Sequence, residues 1–163
     1  VIFASSNHAS GGFYKIKPWK HIFEGNFDKL KNKNYELIDE SYRTRPDGYY
    51  GVAKGYGESI GSYYSDFYGL SSLNLKIGWV ISNDDPTFSP YALSLWLSHE
   101  DAAQIFELCI NAPKNIKYDT FYVTSDNAWK IFSIDRAKRV LGFKPKDTAG
   151  SSFSLQPPPV RDT

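Results

Sequence analysis

The sequence predicts an α/β fold with a largely parallel sheet, and three observations support this prediction. Apolar or alternating segments typical of strands begin near residues 1, 73 and 118. A segment with helical periodicity follows each of them along the chain. Strands that alternate with helices in this way form parallel sheets through crossover connections. We therefore expect functional groups at the carboxyl ends of the strands, where ligands bind in such sheets.

Length and composition indicate a globular chain with one core. The 163 residues are 41% hydrophobic and 17% aromatic, which is enough apolar material for an ordinary domain. The net charge of +1 does not provide the field of a general nucleic-acid binder. There is no apolar run long enough to span a membrane and no signal-type segment at the start, so the prediction is a cytoplasmic protein.

The first strand is predicted from the apolar run at residues 1–4. A chain terminus is normally polar or frayed, and the sequence contains no methionine, so we expect an interior strand of a longer fold and a chain that is a fragment. The polar stretch from Ser5 to Gly12 follows it. We interpret this stretch as a loop that presents functional groups at the end of the strand.

Residues 15–45 are predicted to be an irregular surface insertion within a single domain that covers residues 1–163. This segment is rich in lysine and asparagine, and runs of charge usually face water. A short helix is expected only around residues 27–33.

A long amphipathic helix is predicted from Asp47 onward. Apolar side chains recur at helical spacing from Tyr56 to Phe67, and Gly69 stands where a helix commonly ends. Glycines inside a helix lower its stability, so we expect another backbone or a cofactor to pack closely against them. These glycines are Gly55, Gly57 and Gly61.

The next elements are a strand over residues 73–77 and a helix over residues 99–111. Ser98 and Asp101 have the spacing of a capping box at the start of that helix, and Pro113 ends it. Cys109, the single cysteine, cannot form an internal disulfide, and its helical context predicts a core position.

The last elements are a strand over residues 118–124 and a helix that Ser133 caps and Gly142 ends. The proline-rich tail at residues 156–159 cannot continue a helix, so we expect it to run extended along the surface.

Tyr50 and Lys54 form the pair with the clearest chemical use. They are four residues apart at the start of the long helix, so both side chains project from one face. A phenol acts as a base at neutral pH only when a nearby positive charge stabilises the phenolate, and a lysine one turn away provides that charge. Ser6, on the loop after the first strand, is the candidate that holds the reacting oxygen of a substrate.

Other chemistries find little support in the residues. His8, His21 and His99 have no metal-ligand spacing with one another or with Cys109, so we predict no metal site. The sequence contains no nucleophile elbow of the G-x-S-x-G type, which argues against an α/β-hydrolase.

Taken in order, several segments resemble the extended short-chain dehydrogenase/reductase superfamily, the NAD-dependent epimerase/dehydratase group. Within that group the chain is most similar to uronate dehydrogenases and related sugar dehydrogenases. The fold that the resemblance implies is the C-terminal part of a Rossmann-type doubly wound parallel sheet with a small substrate-binding portion. The segments that carry the resemblance are residues 2–8, 45–54 with Gly57 and Glu58, 75–78, 96–101 and 141–147.

The resemblance implies a Ser-Tyr-Lys triad. Tyr50 would be the general acid/base, and Lys54 would lower its pKa and bind the nicotinamide ribose. Ser6 would hydrogen-bond the reacting oxygen. Ile77 and Gly78 match the segment that passes close to the nicotinamide. The implied cofactor is therefore NAD or NADP.

The resemblance also implies a substrate site, from which this sequence departs in part. Asn7 and His8 match residues that help to hold the sugar, although His8 could instead be satisfied within its loop. Uronate-type enzymes have a serine and an arginine where Trp79 and Tyr91 stand here, and no arginine occurs over residues 46–135. A guanidinium is the usual partner of a carboxylate, so we expect a neutral sugar or polyol stacked on Trp79 or Tyr91.

A further departure concerns the cofactor. Enzymes of this kind carry a glycine-rich turn that receives the dinucleotide phosphates, and the sequence contains no such turn outside the predicted helix. About three βαβ units, roughly 100 residues, would be needed to supply it. We therefore expect the 163-residue chain to be inactive by itself.

The predicted function is that of an NAD(P)-dependent oxidoreductase acting on a sugar-like alcohol or hemiacetal. The alternatives are a nucleotide-sugar epimerase or dehydratase, and a non-catalytic remnant that does not bind cofactor. The expected partners are a small sugar and a second copy of the chain, which the resemblance implies would dimerise through the helix at residues 47–68. Neither nucleic acid nor a membrane is expected as a partner.

Overall fold

A computed structural model describes residues 1–33 and 35–150 of the chain. The strands are β1 (Ile2–Ser6), β2 (Ser72–Ile77) and β3 (Tyr118–Val123). The α-helices are α1 (Trp19–Phe23), α2 (Tyr49–Tyr68), α3 (Pro90–Leu95), α4 (His99–Ile110) and α5 (Asp135–Leu141), and two 3₁₀ helices cover Asn7–Lys15 and Phe27–Lys33. The tail predicted to be extended at residues 156–159 lies outside the described residues.

The strands form a three-stranded parallel sheet in the order β1-β2-β3. Ser6 pairs with Ile77, and Ile77 pairs with Val123, so the three carboxyl ends lie side by side. This arrangement confirms the predicted α/β fold with a parallel sheet. It places the segments that follow β1 and β2 next to each other at one edge of the sheet.

Helices cover both faces of the sheet, but the two interfaces differ in polarity. Because alternate residues of a strand point to opposite faces, Leu75 of β2 and Phe121 of β3 pack with Ile105 of α4 in an apolar cluster. Cys109 of α4 belongs to the same cluster, as predicted, and burial raises the pKa of its thiol to about 11. The face of β2 toward α2 is instead polar and buried; its residues are Ser72, Asn74 and Lys76.

Two of the glycines in α2 are required by close packing. A Cβ added at Gly57 would lie 2.3 Å from the ring of Phe3, and one added at Gly51 would lie 2.2 Å from the carbonyl oxygen of His8. Either distance is shorter than any real carbon contact, so α2 approaches β1 and its following loop this closely only with glycine at these positions. The backbone contact was predicted for Gly55, Gly57 and Gly61, and it is wrong there, because a Cβ at each of them would meet a side chain, that of Thr44, Phe3 or Ser72. The close backbone is found at Gly51 instead.

The segment at residues 15–45 differs from the predicted surface insertion. Trp19 and Ile22 of α1 are buried, as are Leu30 and Ile38, and they pack into a second apolar cluster with Tyr122 of β3. Ile38 also pairs with Phe132 in a parallel β-bridge. The apolar residues are spaced too widely to form a sequence pattern, yet the fold gathers them, so this segment is part of the core.

The helix ends follow the local sequence. Gly69 ends α2 with a φ of 68°, and Gly142 ends α5 with a φ of 76°, which is the left-handed conformation that glycine adopts without strain. Both predicted endpoints are confirmed. At the start of α5, Ser133 accepts a hydrogen bond from the main-chain N–H of Asp135, although Ile134 occupies the capping position itself.

Only half of the predicted capping box at α4 is present. The Ser98 hydroxyl accepts from the main-chain N–H of Asp101, as expected. The main-chain N–H of Ser98 donates to Ser125 instead of to Asp101, and the Ser125 hydroxyl donates to the Asp101 carboxylate at 2.6 Å. Asp101 also accepts from the main-chain N–H of Lys146. The carboxylate therefore links α4 to the two segments that follow β3 and α5.

No helix in the described ranges is long and apolar enough to cross a bilayer.

Candidate active site

The site begins where β1 ends. Ser6 caps the 3₁₀ helix that follows, and its hydroxyl accepts a hydrogen bond from the main-chain N–H of His8 at 3.2 Å. Ser6 and Asn7 are buried, whereas His8 is partly exposed. The predicted loop is therefore a short helix whose first turn faces the carboxyl edge of the sheet.

Tyr50 and Lys54 lie together on the first turns of α2. The Lys54 Nζ is 5.3 Å from the centroid of the Tyr50 ring, and it donates a hydrogen bond to the main-chain oxygen of Ala4 at 2.7 Å. The Tyr50 side chain is 58% exposed. The bond to Ala4 holds the ammonium group against β1, so the position of the positive charge beside the phenol is fixed by the sheet.

A cleft of about 540 Å³ joins these groups at the carboxyl ends of β1 and β2. Ser6 and Tyr50 line it together, and Lys54 contacts the Tyr50 ring without lining the cleft itself. The segment after β2 supplies the opposite wall, including four residues that were not singled out from the sequence. The full lining is Ser6, Asn7, His8, Tyr50, Gly78, Trp79, Val80, Ile81, Ser82 and Phe88.

The wall after β2 is held against α3. A Cβ at Gly78 would lie 2.0 Å from the main-chain oxygen of Leu95, and the main-chain N–H of Trp79 donates to that oxygen at 2.8 Å. Gly78 and Trp79 therefore line the cleft, and their roles toward a cofactor and a substrate stay predictions. Ile77 does not line the cleft, because its side chain packs against the apolar cluster on the α4 side of the sheet.

Tyr91 does not lie where the sequence predicted. It is only 9% exposed, and its ring meets the edge of Trp79 at a centroid distance of 5.2 Å, behind the cleft wall. The first turn of α3 directs Tyr91 into the second apolar cluster beside Tyr14. Burial, with a smaller effect from the Asp47 carboxylate, raises the pKa of Tyr91. Tyr91 supports Trp79 from behind and does not line the cleft.

His8 has a partner that the sequence did not reveal. Its Nδ1 lies 2.7 Å from Oδ2 of Asp47, a residue at the turn before α2. The His8 ring also meets the Tyr50 ring edge-on, with centroids 5.6 Å apart. Next to it, the buried side chain of Asn7 lies beside the Tyr91 hydroxyl and partly offsets the rise in the pKa of that phenol. The pair Asp47 and His8 is separated by 38 intervening residues, so no local pattern predicts it.

A buried ionic network lies beneath the site. The Ser5 hydroxyl donates to one oxygen of Glu58, and the Lys76 Nζ lies 2.9 Å from the other. Glu58 is one helical turn beyond Lys54 on α2, and Ser5 directly precedes Ser6 on β1. The network therefore joins α2 to β1 and β2 immediately below the groups that line the cleft.

A larger cavity, about 660 Å³, runs along β3 on the α2 side of the sheet. It contains none of the predicted site residues. Four of its eight charged residues are paired with one another: Arg136 binds Asp119 through two hydrogen bonds, and Lys76 forms an ion pair with Glu58. The smaller cleft remains the candidate, because it brings Ser6 and Tyr50 together. No group of side chains in the described part of the chain has the composition of a metal site.

Comparisons with known proteins agree with the class that this fold defines. A parallel sheet with a cleft at the carboxyl ends of its strands is the architecture of Rossmann-type dinucleotide-binding enzymes. The solved structure of uronate dehydrogenase from Agrobacterium tumefaciens matches 91% of this chain and 47% of its own, with a TM-score of 0.69 and 28% sequence identity. No family model matches the sequence.

Several sequence relatives are named as sugar dehydrogenases. The chain is 34% identical to the NAD-dependent glucose-6-phosphate dehydrogenase of Haloferax volcanii over 97% of its length and 56% of the relative's. It is 32% identical to the uronate dehydrogenase of Pseudomonas syringae pv. tomato over 99% of its length and 51% of the relative's. The chain thus spans about half the length of these relatives. The chain is homologous to uronate and other sugar dehydrogenases, which confirms the resemblance predicted from its sequence.

Proposed function

We propose that this chain is the catalytic part of an NAD(P)-dependent oxidoreductase that acts on a sugar-like alcohol or hemiacetal. The observation that carries the proposal is the position of Lys54. Its ammonium group is fixed between the main-chain oxygen of Ala4 and the ring of Tyr50, and Tyr50 lines the cleft together with Ser6. An exposed phenol beside a fixed positive charge is suited to act as a base toward a hydroxyl group.

In the proposed reaction the phenolate oxygen of Tyr50 accepts the proton of the substrate hydroxyl. The hydroxyl of Ser6 donates a hydrogen bond to the same substrate oxygen, and the charge on Lys54 stabilises the phenolate before the transfer. The electron pair of the substrate C–H bond leaves as hydride, so the substrate carbon is oxidised to a carbonyl or lactone. NAD or NADP, when bound, supplies the hydride acceptor.

The residues at this edge of the cleft suit the nicotinamide and ribose end of such a cofactor. An ammonium group has three donors, and Lys54 uses one of them on Ala4, so the others are open to ribose hydroxyls. Gly78 presents bare main chain to the cleft, which leaves room for a flat ring. Tyr50, Lys54 and Gly78 are therefore the proposed contacts, with Ile77 contributing only through its main chain.

The substrate we propose is a neutral sugar. No arginine or lysine side chain lines the cleft among the described residues, whereas Trp79 and Phe88 provide apolar faces. Apolar C–H faces of a sugar ring pack on aromatic side chains, and its hydroxyls would meet Asn7 and His8. The two relatives above are named for a phosphorylated and a carboxylated sugar, and another relative, 28% identical, is named L-arabinose 1-dehydrogenase, for a neutral sugar. The comparison therefore does not select between charged and neutral sugars.

We also propose a homodimer through α2. Several of its aromatic residues are exposed in succession, including Tyr56, Tyr63 and Phe67, and a continuous apolar surface of this kind favours association. Sedimentation of the wild type and of a Tyr56→Glu/Phe67→Glu variant tests this: the wild type should be dimeric and the variant monomeric. A monomeric wild type would exclude the dimer.

A cytoplasmic location stays a prediction.

The test of function is the reduction of NAD or NADP by the whole protein with a panel of neutral aldoses and uronic acids. Tyr50→Phe should lower kcat/KM by about 10² or more, and Ser6→Ala should also lower it. Tyr49→Phe is the matched control, because Tyr49 is 95% exposed and adjoins Tyr50. Equal turnover of uronic acids and neutral aldoses would contradict the neutral substrate. A protein that neither binds nor reduces NAD(P) would support the non-catalytic alternative.

A further inference from the structure

Two links join the loop after β1 to the turn before α2 at one point. The Asp47 side chain binds His8 Nδ1 at 2.7 Å, and the Asp47 main-chain N–H donates to the main-chain oxygen of His8 at 3.3 Å. The Asp47 side chain is only 9% exposed, whereas that of His8 is 34% exposed and lines the cleft. A buried carboxylate thus supports an imidazole that faces the candidate substrate site.

This geometry determines which ring nitrogen carries the proton. An ionised carboxylate only accepts hydrogen bonds, so the nitrogen that contacts it must donate. In the neutral imidazole the proton is then on Nδ1, and Nε2 has a lone pair. Within residues 1–33 and 35–150 no group hydrogen-bonds to Nε2. The free acceptor of His8 is therefore open to a ligand in the cleft.

We propose that Asp47 is a positioning residue that keeps His8 as a hydrogen-bond acceptor toward the substrate, so that this point of the cleft selects a hydroxyl group. A hydroxyl can donate to Nε2, whereas an oxygen of an ionised carboxylate or phosphate can only accept and would face the lone pair. The inference rests on the proposed function, since it assumes a sugar in the cleft. It adds the chemical group that the sugar must present at His8.

The Asp47 carboxylate has room beside the main chain because residue 11 is a glycine. A Cβ at Gly11 would lie 2.1 Å from Asp47 Oδ2, the atom that binds His8. The turn around it is fixed by main-chain bonds from Gly12 to Arg45 at 2.8 Å and from Arg45 to Ala9 at 3.1 Å. Gly11→Ala should therefore displace the carboxylate while leaving its charge in the protein. This variant tests the geometry separately from the charge.

The first experiment measures the His8 tautomer by long-range ¹H–¹⁵N NMR on the labelled chain, with His8→Gln used for assignment. In the wild type, the neutral His8 ring should be in the Nδ1–H form. Asp47→Ala and Gly11→Ala should both move it toward the Nε2–H form, and Asp39→Asn, in an exposed turn, should not. A wild type in the Nε2–H form, or an unchanged tautomer in both variants, would overturn the proposal.

The second experiment measures selectivity in the whole protein with NAD(P). The measured quantity is the ratio of kcat/KM for an aldose to kcat/KM for each of its deoxy analogues. In Asp47→Ala this ratio should fall about tenfold for one deoxy position, which is the effect of losing one hydrogen bond. The change should come mainly from KM. A uniform fall in kcat for all substrates would indicate a merely structural role and contradict the proposal. If no sugar is oxidised, the proposed function fails and the hydroxyl selectivity fails with it, whereas the tautomer result still decides whether Asp47 positions His8.

Discussion

Glu58 of α2 and Lys76 of β2 form an ion pair, 2.9 Å between Oε2 and Nζ, in which both side chains are buried. The Ser5 hydroxyl donates to the second carboxylate oxygen. A buried charge is tolerated when it is paired and hydrogen-bonded, and removal of one partner leaves the other uncompensated. The attachment of α2 to the sheet therefore depends on charge at this point.

Glu58→Gln should lower the free energy of unfolding by about 3 kcal/mol or more, because Lys76 would remain buried without its counter-charge. Chemical denaturation measures the change. Ser59→Ala, at the exposed neighbouring position, should change stability by less than about 0.5 kcal/mol. The double variant Glu58→Gln/Lys76→Met should recover part of the loss, since it removes the unpaired charge. A Glu58→Gln protein as stable as the wild type would contradict the role of the pair.

Gly51→Ala should destabilise the protein by about 1–3 kcal/mol, because the added Cβ would lie 2.2 Å from the His8 carbonyl oxygen. That oxygen belongs to the backbone and cannot rotate away, so the first turn of α2 must move, and the proposed activity of Tyr50 should fall as well. Gly48→Ala is the control: a Cβ there meets nothing within 4 Å, and its φ of −175° is extended backbone. Equal effects of the two substitutions would argue against the close contact.

Ile22→Ala should cost about 2–5 kcal/mol of stability, the usual range for truncating a fully buried aliphatic side chain. Ile22 is fully buried in the second apolar cluster. Lys20→Ala, on the exposed side of the same helix, should have little effect. A small loss for Ile22→Ala would restore the interpretation of residues 15–45 as a surface insertion.

The Cys109 thiol should resist alkylation in the native protein near pH 9 and react readily after unfolding. Burial raises the pKa of the native thiol to about 11, so the native thiol stays protonated at pH 9. An unfolded thiol has a pKa of about 8.5 and ionises at that pH. Because the native state then binds more protons than the unfolded state, this group makes stability fall as pH rises from about 9 to 11. Trapping with iodoacetamide measures the first effect, and denaturation of the wild type and Cys109→Ala at both pH values measures the second. Rapid native alkylation at pH 9 would contradict the burial.

Features that depend on a few neighbouring residues could be predicted from the sequence. Gly69 and Gly142 end their helices because glycine adopts positive φ without strain, wherever the helix lies. Tyr50 and Lys54 meet because one helical turn separates them. Ser6 could be placed near them only through the prediction of parallel strands, which the sheet confirms.

Features that depend on distant contacts could not be predicted in the same way. The sequence does not indicate that Asp47 would bind His8, because the contact forms only when α2 packs on β1. Tyr91 was expected to face a sugar, but the orientation of α3 turns it inward. Residues 15–45 contain so many lysines and asparagines that the sequence indicates a surface segment, although the fold buries the few apolar residues there.

The polar contacts between α2 and the sheet determine how precisely this helix is positioned. Contacts between aliphatic side chains change gradually as one surface slides over another, whereas hydrogen bonds weaken steeply with distance and angle. The hydrogen bonds from Ser5 to Glu58 and from Lys54 to Ala4 are of this directional kind, and the ion pair of Lys76 with Glu58 adds attraction between the same elements. These contacts fix the position of α2 along its own axis, and they thereby hold the Tyr50 hydroxyl in one position at the cleft.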